Sequence, residues 1–444
     1  MVKVVKFGGS SLASAEQFEK VGKIIRADKS RCYVVPSAPG KRNSKDTKVT
    51  DMLYNTYALA ESDDAFDKEL DAIKARYQEI IDGLKLKLSL DKEFEVIREN
   101  FKKKAGSDYA ASRGEFLNGI IMANYLGYEF IDAAEVIFFD EEGNFMPDHT
   151  NEVLSARLSE TPKAVVPGFY GAKLDGSVKT FSRGGSDITG SIVAKAAHVD
   201  VYENWTDVSG FLVADPRIVE NPDVISLITY KELRELSYMG ATVLHEDAIF
   251  PVREAGIPIN IKNTNRPEDA GTMIVSDDHD FDDETCPHTI TGIAGRKGFS
   301  VINIEKAMMN SEKGFGMKVL KVLYENGISF EHMPSGIDTM SVVVDTSTLE
   351  SVEDKIIAQL RKEVKPDHLE IEHGIALLAI VGRRMKNTRG TVARLFASLA
   401  HARINVKMVD QGSSELNVIV GVNESDLSEA IRRIYDMFVN SEKN

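Results

Sequence analysis

The 444-residue chain has little of what the common metal, redox and nucleic-acid sites are made from. Its two cysteines, Cys32 and Cys286, lie far apart and in no metal-ligand spacing. That excludes a disulfide framework and a cysteine zinc site, and suits a reducing compartment. The nine histidines form no metal-spaced cluster along the sequence, and no Ser-His-Asp order or Cys-His pair stands out. Positive charge is in deficit, with 54 lysines and arginines against 69 aspartates and glutamates, for a net charge of −15. This argues against a nucleic-acid partner but leaves an anionic small molecule open, because local fields outweigh the total. No window approaches the roughly 20 apolar residues of a membrane span, and the N-terminus has no long apolar core or cleavage motif. A cytoplasmic protein with no membrane partner is the resulting expectation. The Walker pattern is also missing, since no Gly-Lys-Ser or Gly-Lys-Thr follows a glycine at the required spacing.

What is present begins at the N-terminus. Val2, Val4 and Val5 read as a buried strand that runs into Lys6-Phe7-Gly8-Gly9-Ser10-Ser11. A helix follows through Phe18, Val21, Ile24 and Ile25, and Ser10, Ser11 or Ser14 can cap it. Unpaired N–H groups and the helix dipole would point at one spot, and Lys6 adds a full positive charge there. An ordinary strand-to-helix turn would look the same, so other segments must decide. A second glycine pair, Ser182-Arg183-Gly184-Gly185-Ser186-Asp187, precedes a helix through Ile188, Ile192, Val193 and Ala196. Arg183 offers a planar fork for a carboxylate or phosphate. Between the two, Ser112-Arg113-Gly114-Glu115 opens another helix, and Glu115 can receive an ammonium or simply favour the helix start. A turn-rich stretch, Trp205-Thr206-Asp207-Val208 to Asp215-Pro216-Arg217, completes the set; Trp205 suits a core as well as a ligand contact. Two glycine-rich cradles, a lysine, an arginine and scattered carboxylates fit phosphoryl transfer better than acyl transfer.

Residues 1 to about 275 alternate short apolar strands with amphipathic helices, which predicts a layered α/β domain. Residues 62–105 are rich in charge and read as an exposed helical insertion, and the acidic run Asp277 to Glu284 reads as a solvated linker. Beyond it lies an internal repeat. Gly314, Leu323, Ile328, Gly336, Val342 and Val344 recur 76 positions later as Gly390, Leu399, Ile404, Gly412, Val418 and Val420. Two βαββαβ units that pair with one another are the natural reading.

Taken in this order, the segments resemble the aspartokinases of the amino acid kinase superfamily, over nearly the whole chain. The resemblance implies a mainly parallel catalytic domain over 1–285 and two ferredoxin-like, ACT-like units over 286–444, the first about 299–370 and the second about 286–298 plus 371–444. It implies ATP-dependent phosphorylation of the side-chain carboxylate of L-aspartate, with Mg2+ accompanying ATP and no dedicated metal site. Lys6 and Asp187 would be catalytic; Ser37, Thr50, Glu115 and Arg183 would hold aspartate; Gly8, Gly9, Ser10, Thr206, Asp207 and Arg217 would line the nucleotide site with Lys6. An amino acid effector, lysine or else threonine, would be read by Met309, Phe315, Gly316, Ser329, Phe330 and Glu331 in the first ACT-like unit. Pairing of such units between chains implies a homodimer or a dimer of dimers. One position departs from the family pattern: Thr242 stands where many members carry a nucleotide-binding lysine, and the basic loop Lys41 to Lys45 could compensate. A glutamate or acetylglutamate kinase and a non-catalytic amino acid sensor are the alternative readings.

Overall fold

The computed structural model describes residues 1–182, 184–240, 244, 246–279 and 287–442. Contacts divide the chain into two compact units that interleave along the sequence. The first comprises Met1–Phe211, Ser226–Tyr230 and Val243–Asp280, and the second Leu212–Ile225, Lys231–Thr242 and Phe281–Asn444. The boundary expected at 285/286, and most of the expected acidic linker, fall outside the described residues.

In the first unit the apolar runs become strands because both of their faces are covered, as in parallel sheets flanked by helices. In chain order they are β1 (Lys3–Phe7), β2 (Arg31–Pro36), β3 (Glu129–Phe130), β4 (Phe138–Phe139), β5 (Ala164–Val165), β6 (Tyr170–Lys173), β7 (Val178–Thr180), β8 (Val201–Thr206), β9 (Leu227–Thr229), β10 (Ile259–Asn263) and β11 (Thr272–Val275). The main sheet has the order β3-β5-β2-β1-β8-β10-β11-β9, and β4, β6 and β7 form a small separate sheet. The main sheet is parallel except for the β10–β11 pair. Central β1 lies between β2 and β8. Chain connections therefore leave it in opposite directions and open a crevice at the carboxyl ends of these strands, the usual ligand position in open α/β sheets.

Helices α1 (Ala15–Ala27), α2 (Val49–Glu61), α3 (Asp67–Gly83), α4 (Asp91–Lys102), α5 (Ser107–Leu126), α6 (Pro147–Ser159) and α7 (Gly185–Ala196) accompany this sheet. Of the three serines that could cap α1, Ser14 does so, accepting from the Gln17 N–H at 3.4 Å. The reading of 62–105 as an exposed insertion is corrected. Leu70, Ile73, Tyr77, Ile80, Ile81, Phe94, Ile97 and Phe101 of α3 and α4 share one core with α1, α2 and α5. The high average charge of this segment hid an apolar stripe at helical spacing. Arg76 is buried as well: its guanidinium donates to the Gly40 carbonyl at 2.8 Å and pairs with Asp46 at 2.5 Å. The segment thereby clamps the loop after β2.

The second unit carries a six-stranded sheet from β12 (Gly292–Glu305), β13 (Phe330–His332), β14 (Thr339–Asp345), β15 (His368–Val381), β16 (Met408–Asp410) and β17 (Asn417–Asn423), in the order β13-β14-β12-β15-β17-β16. Strands β12 and β15, 14 residues each, run through both repeats. Residues 299–305 of β12 pair with β14 and the first half of β15, whereas 292–296 pair with its second half. Each repeat is thus a ferredoxin-like βαββαβ layer, the fold class expected for this region. The repeat shows in the helices, which start at Phe315 and Thr391; each is preceded by a glycine, Gly314 or Gly390, at a φ of 78° or 84°. Only glycine adopts that backbone freely. Among the described residues, no helix is long and apolar enough to cross a membrane.

Candidate active site

The crevice of the first unit is built from backbone first. The Gly8 N–H donates to the Trp205 carbonyl at 3.1 Å, and the Ser37 N–H to the Phe7 carbonyl at 3.1 Å. The turns after β1 and β2 then touch, the Gly40 N–H donating to the Gly9 carbonyl at 2.8 Å. A Cβ on Gly9 would stand 2.8 Å from the Ala38 oxygen, and one on Gly40 2.6 Å from the Gly9 carbonyl carbon. Both positions require bare backbone. Ser10 is exposed, whereas the Ser11 hydroxyl is buried against that of Thr264 at 2.8 Å.

Lys6, next to last in β1, has only 7% of its surface exposed, and its Nζ lies 2.6 Å from Asp187 Oδ1. Asp187 belongs to the first turn of α7, whose N-cap, Gly184, has a φ of 59°. The same Oδ1 accepts a hydrogen bond from Asn204 Nδ2 at 2.7 Å, and the Asp187 carbonyl accepts from the Tyr202 hydroxyl at 3.3 Å. Asn204 pairs with Lys6 across the β1–β8 ladder. It is a residue of the candidate site that the sequence reading missed, since an amide beside Glu203 in the mixed strand Val201–Thr206 has no pattern of its own. Trp205 is core: it is 1% exposed, and its indole N–H donates at 2.9 Å to buried Glu203, which also binds Lys3 and Arg31.

Glu115 stands in α5 with 5% exposure. Loss of hydration pushes its pKa up to about 8, against the opposing pull of the Ala38 N–H, its own N–H and the Lys6 charge. Its Oε2 is buried and has no partner. Half-buried Thr50, in the first turn of α2, faces the neighbouring Gly114: a Cβ there would lie 3.7 Å from Thr50 Oγ1. Half-buried Ser37 lies on the other side, its carbonyl accepting from Asn118 Nδ2 at 2.6 Å. Lys6, Gly8, Gly9, Ser37, Thr50, Glu115 and Asp187 thus meet at the ends of β1 and β2.

The remaining candidates are scattered. Thr206 ends β8 with its hydroxyl 3.3 Å from exposed Asp207, on the same strand as Asn204. Arg217 belongs to the second unit, where its exposed guanidinium is held by Asp215 at 2.6 Å. Arg183 and Thr242 lie outside the described residues. In the basic loop, Arg42 is engaged by Asp46 at 3.0 Å and Glu79 at 2.7 Å, which weakens its case as a compensating charge. No group of three or more histidine, cysteine or acidic side chains that could hold a metal occurs among the described residues. In the first repeat, Met309 and Phe315 are core residues, Gly316 lies beside Met340, Ser329 and Phe330 are exposed, and the Glu331 carboxylate accepts from the Tyr238 hydroxyl.

The amino acid kinase family model matches residues 1–263, and an ACT domain model matches residues 378–438. Aspartokinase 3 of Bacillus subtilis is 39% identical over 457 residues, covering 98% of either chain. The chain belongs to the aspartokinases, within the amino acid kinase family. The crystal structure of Clostridium acetobutylicum aspartate kinase is similar at 53% identity with a TM-score of 0.90, covering 98% of this chain and 99% of that one. Escherichia coli aspartokinase III, solved with aspartate and ADP, shares the fold at 23% identity with a TM-score of 0.70, covering 98% of this chain and 99% of that one. In this aspartokinase the Lys6–Asp187 pair is oriented by Asn204. Asn204→Leu, which removes one hydrogen bond to a charged group, is expected to lower kcat about tenfold. Steady-state rates check this, and an unchanged kcat would mean that Lys6 alone fixes Asp187.

Proposed function

We propose that the crevice phosphorylates the side-chain carboxylate of L-aspartate with ATP, giving 4-phospho-L-aspartate, the first step toward lysine, threonine and methionine. One observation carries this reading: a buried carboxylate with an unpartnered oxygen, Glu115, beside a lysine-bearing anion cradle. That combination receives an ammonium at one end of a small molecule and a phosphoryl group at the other.

A carboxylate oxygen of aspartate attacks the terminal phosphorus of ATP, the bond from that phosphorus to the bridging oxygen breaks, and ADP leaves. The attacking carboxylate is already ionised at neutral pH, so no proton has to move. Catalysis then consists of alignment and charge neutralisation. Lys6 places its ammonium on the phosphoryl group in transit, with the Gly8–Gly9 backbone beside it. Asp187 holds Lys6 at its station and has no need to act as a base. Glu115 receives the substrate ammonium, Arg183 takes a carboxylate, and Ser37 and Thr50 close the pocket. Thr206 and Asp207 serve the nucleotide. Mg2+ bound with ATP would neutralise phosphate oxygens, held mainly by those oxygens and by water.

The regulatory reading places the effector, lysine before threonine, at the first ACT-like unit over about 299–370, with Glu331 receiving the side-chain ammonium. Its hydrogen bond from Tyr238 shows that this carboxylate is within reach of a donor. Exposed Met317, Tyr324 and Ile337 on this unit, 68%, 83% and 70% accessible, support self-association as a dimer or dimer of dimers. The catalytic region runs to about 285, the second ACT-like unit takes 286–298 and 371–444, and the enzyme works in the cytoplasm.

ADP release should occur with L-aspartate and scarcely with acetylglutamate, and Lys6→Ala should lower kcat at least about a hundredfold. Preference for acetylglutamate, or wild-type turnover in Lys6→Ala, would overturn the assignment. Glu331→Ala is expected to weaken lysine inhibition while uninhibited activity persists; an unchanged lysine titration would remove Glu331 from the effector site.

A further inference from the structure

We propose that Thr264 is a positioning residue for ATP. Its hydroxyl, paired with that of Ser11, holds the phosphate-binding turn and the nucleotide loop at a fixed separation; this rests on the function proposed above. Strand β8 lies between β1 and β10, and the strand ends are in register, Phe7 opposite Trp205 and Asn263 opposite Thr206. The last carbonyls of β8 therefore accept one bond from each side. The Trp205 carbonyl accepts from the Gly8 N–H at 3.1 Å, and the Thr206 carbonyl from the Thr264 N–H at 2.9 Å. The hydroxyls of Ser11 and Thr264 close the ring at 2.8 Å.

Ser11 is 3% exposed and Thr264 1%, so neither hydroxyl has bulk water as an alternative partner. Removing one would strand the other in a dry site, which costs more than the bond itself contributes. The residues around the pair face outward: Ser10 and Asp207 are exposed, and Gly8, Gly9 and Thr206 are half-buried. The pair thus lies beneath the surface that meets the nucleotide. Ser11 fixes the Gly8–Gly9 turn, since its N–H also returns to the Gly8 carbonyl at 3.0 Å. Thr264 fixes the Thr206–Asp207 loop through its own N–H. Farther along, that loop is pinned by Ser209 Oγ donating to Asp269 at 2.6 Å and by the Phe211 N–H donating to Thr272 Oγ1 at 2.8 Å. The buried side-chain link between turn and loop is the hydroxyl pair. ATP spans both, its phosphates on the turn and its nucleoside on the loop, so a preset separation lets the second contact form without a further ordering cost.

The test uses Ser11→Ala, Thr264→Val, the double variant and Thr264→Ser in the full-length enzyme. Each gives kcat, KM values for ATP and L-aspartate, and competition constants against ATP for two fragments. Tripolyphosphate meets the turn alone, and adenosine meets the loop alone. Each single variant should raise the ATP KM about tenfold, with kcat within about threefold and the aspartate KM and both fragment constants within about twofold. The double variant should also stand at about tenfold rather than roughly a hundredfold, because both substitutions break one link. Thr264→Ser keeps a hydroxyl and should stay within about threefold of wild type. If Thr264→Val does not fold, Ser11→Ala gives the same comparison of ATP with its fragments. Fragment constants that rise in parallel with the ATP KM would mark the pair as structural only. Additive single effects, or an unchanged ATP KM, would equally overturn the proposal. Should adenosine fail to compete in wild type, the nucleotide loop itself is misassigned, which is a failure of the functional reading and a separate result.

Discussion

The ion pair between Lys6 and Asp187 is the interaction on which the rest of the crevice depends. It holds a nearly buried ammonium where two glycine turns and a helix N-terminus converge. Removing one partner of a buried pair costs about 3–5 kcal/mol, because the other charge is left without compensation. Asn204 and Lys6 share one oxygen of Asp187, so the ammonium position is fixed from two strands and a helix at once. A fixed cation costs no reorganisation when charge passes it, which is what phosphoryl transfer requires.

Around this pair, close packing and polarity divide the labour. Gly9 and Gly40 let two turns touch, and Arg76 clamps the second turn from a helix that belongs to the core. The same tightness dries out Glu115 and leaves oxygens of Glu115 and Asn118 unpaired. A dry, unpartnered carboxylate oxygen is costly on its own, and the proposed substrate ammonium offsets that cost. Specificity for an amino acid and readiness for phosphoryl transfer then arise from one arrangement of backbone.

Much of this was legible in the residues. The strand-glycine-helix junction, the Arg183–Asp187 segment, Glu115 and the 76-residue repeat all carry local patterns, and glycine and charge at an element end announce themselves. Asn118 and Asn204 did not, because an amide in a helix or strand has no pattern until its partners are known. The α3–α4 segment was misread for a related reason: its mean charge is high, while the apolar stripe that buries Tyr77 and Phe101 is narrow. The interleaving of the two units was invisible because it depends on contacts between segments distant in sequence.

The most direct test of the account is the pH dependence of the KM for L-aspartate. Burial keeps Glu115 protonated up to about 8, and only its carboxylate form can pair with an ammonium, so binding of aspartate must release a proton. The KM should fall about tenfold per unit as pH rises from about 6 and level off near 8, while Glu115→Gln should show a high KM without that slope. A flat wild-type profile, or a Glu115→Gln variant with the wild-type KM, would contradict it.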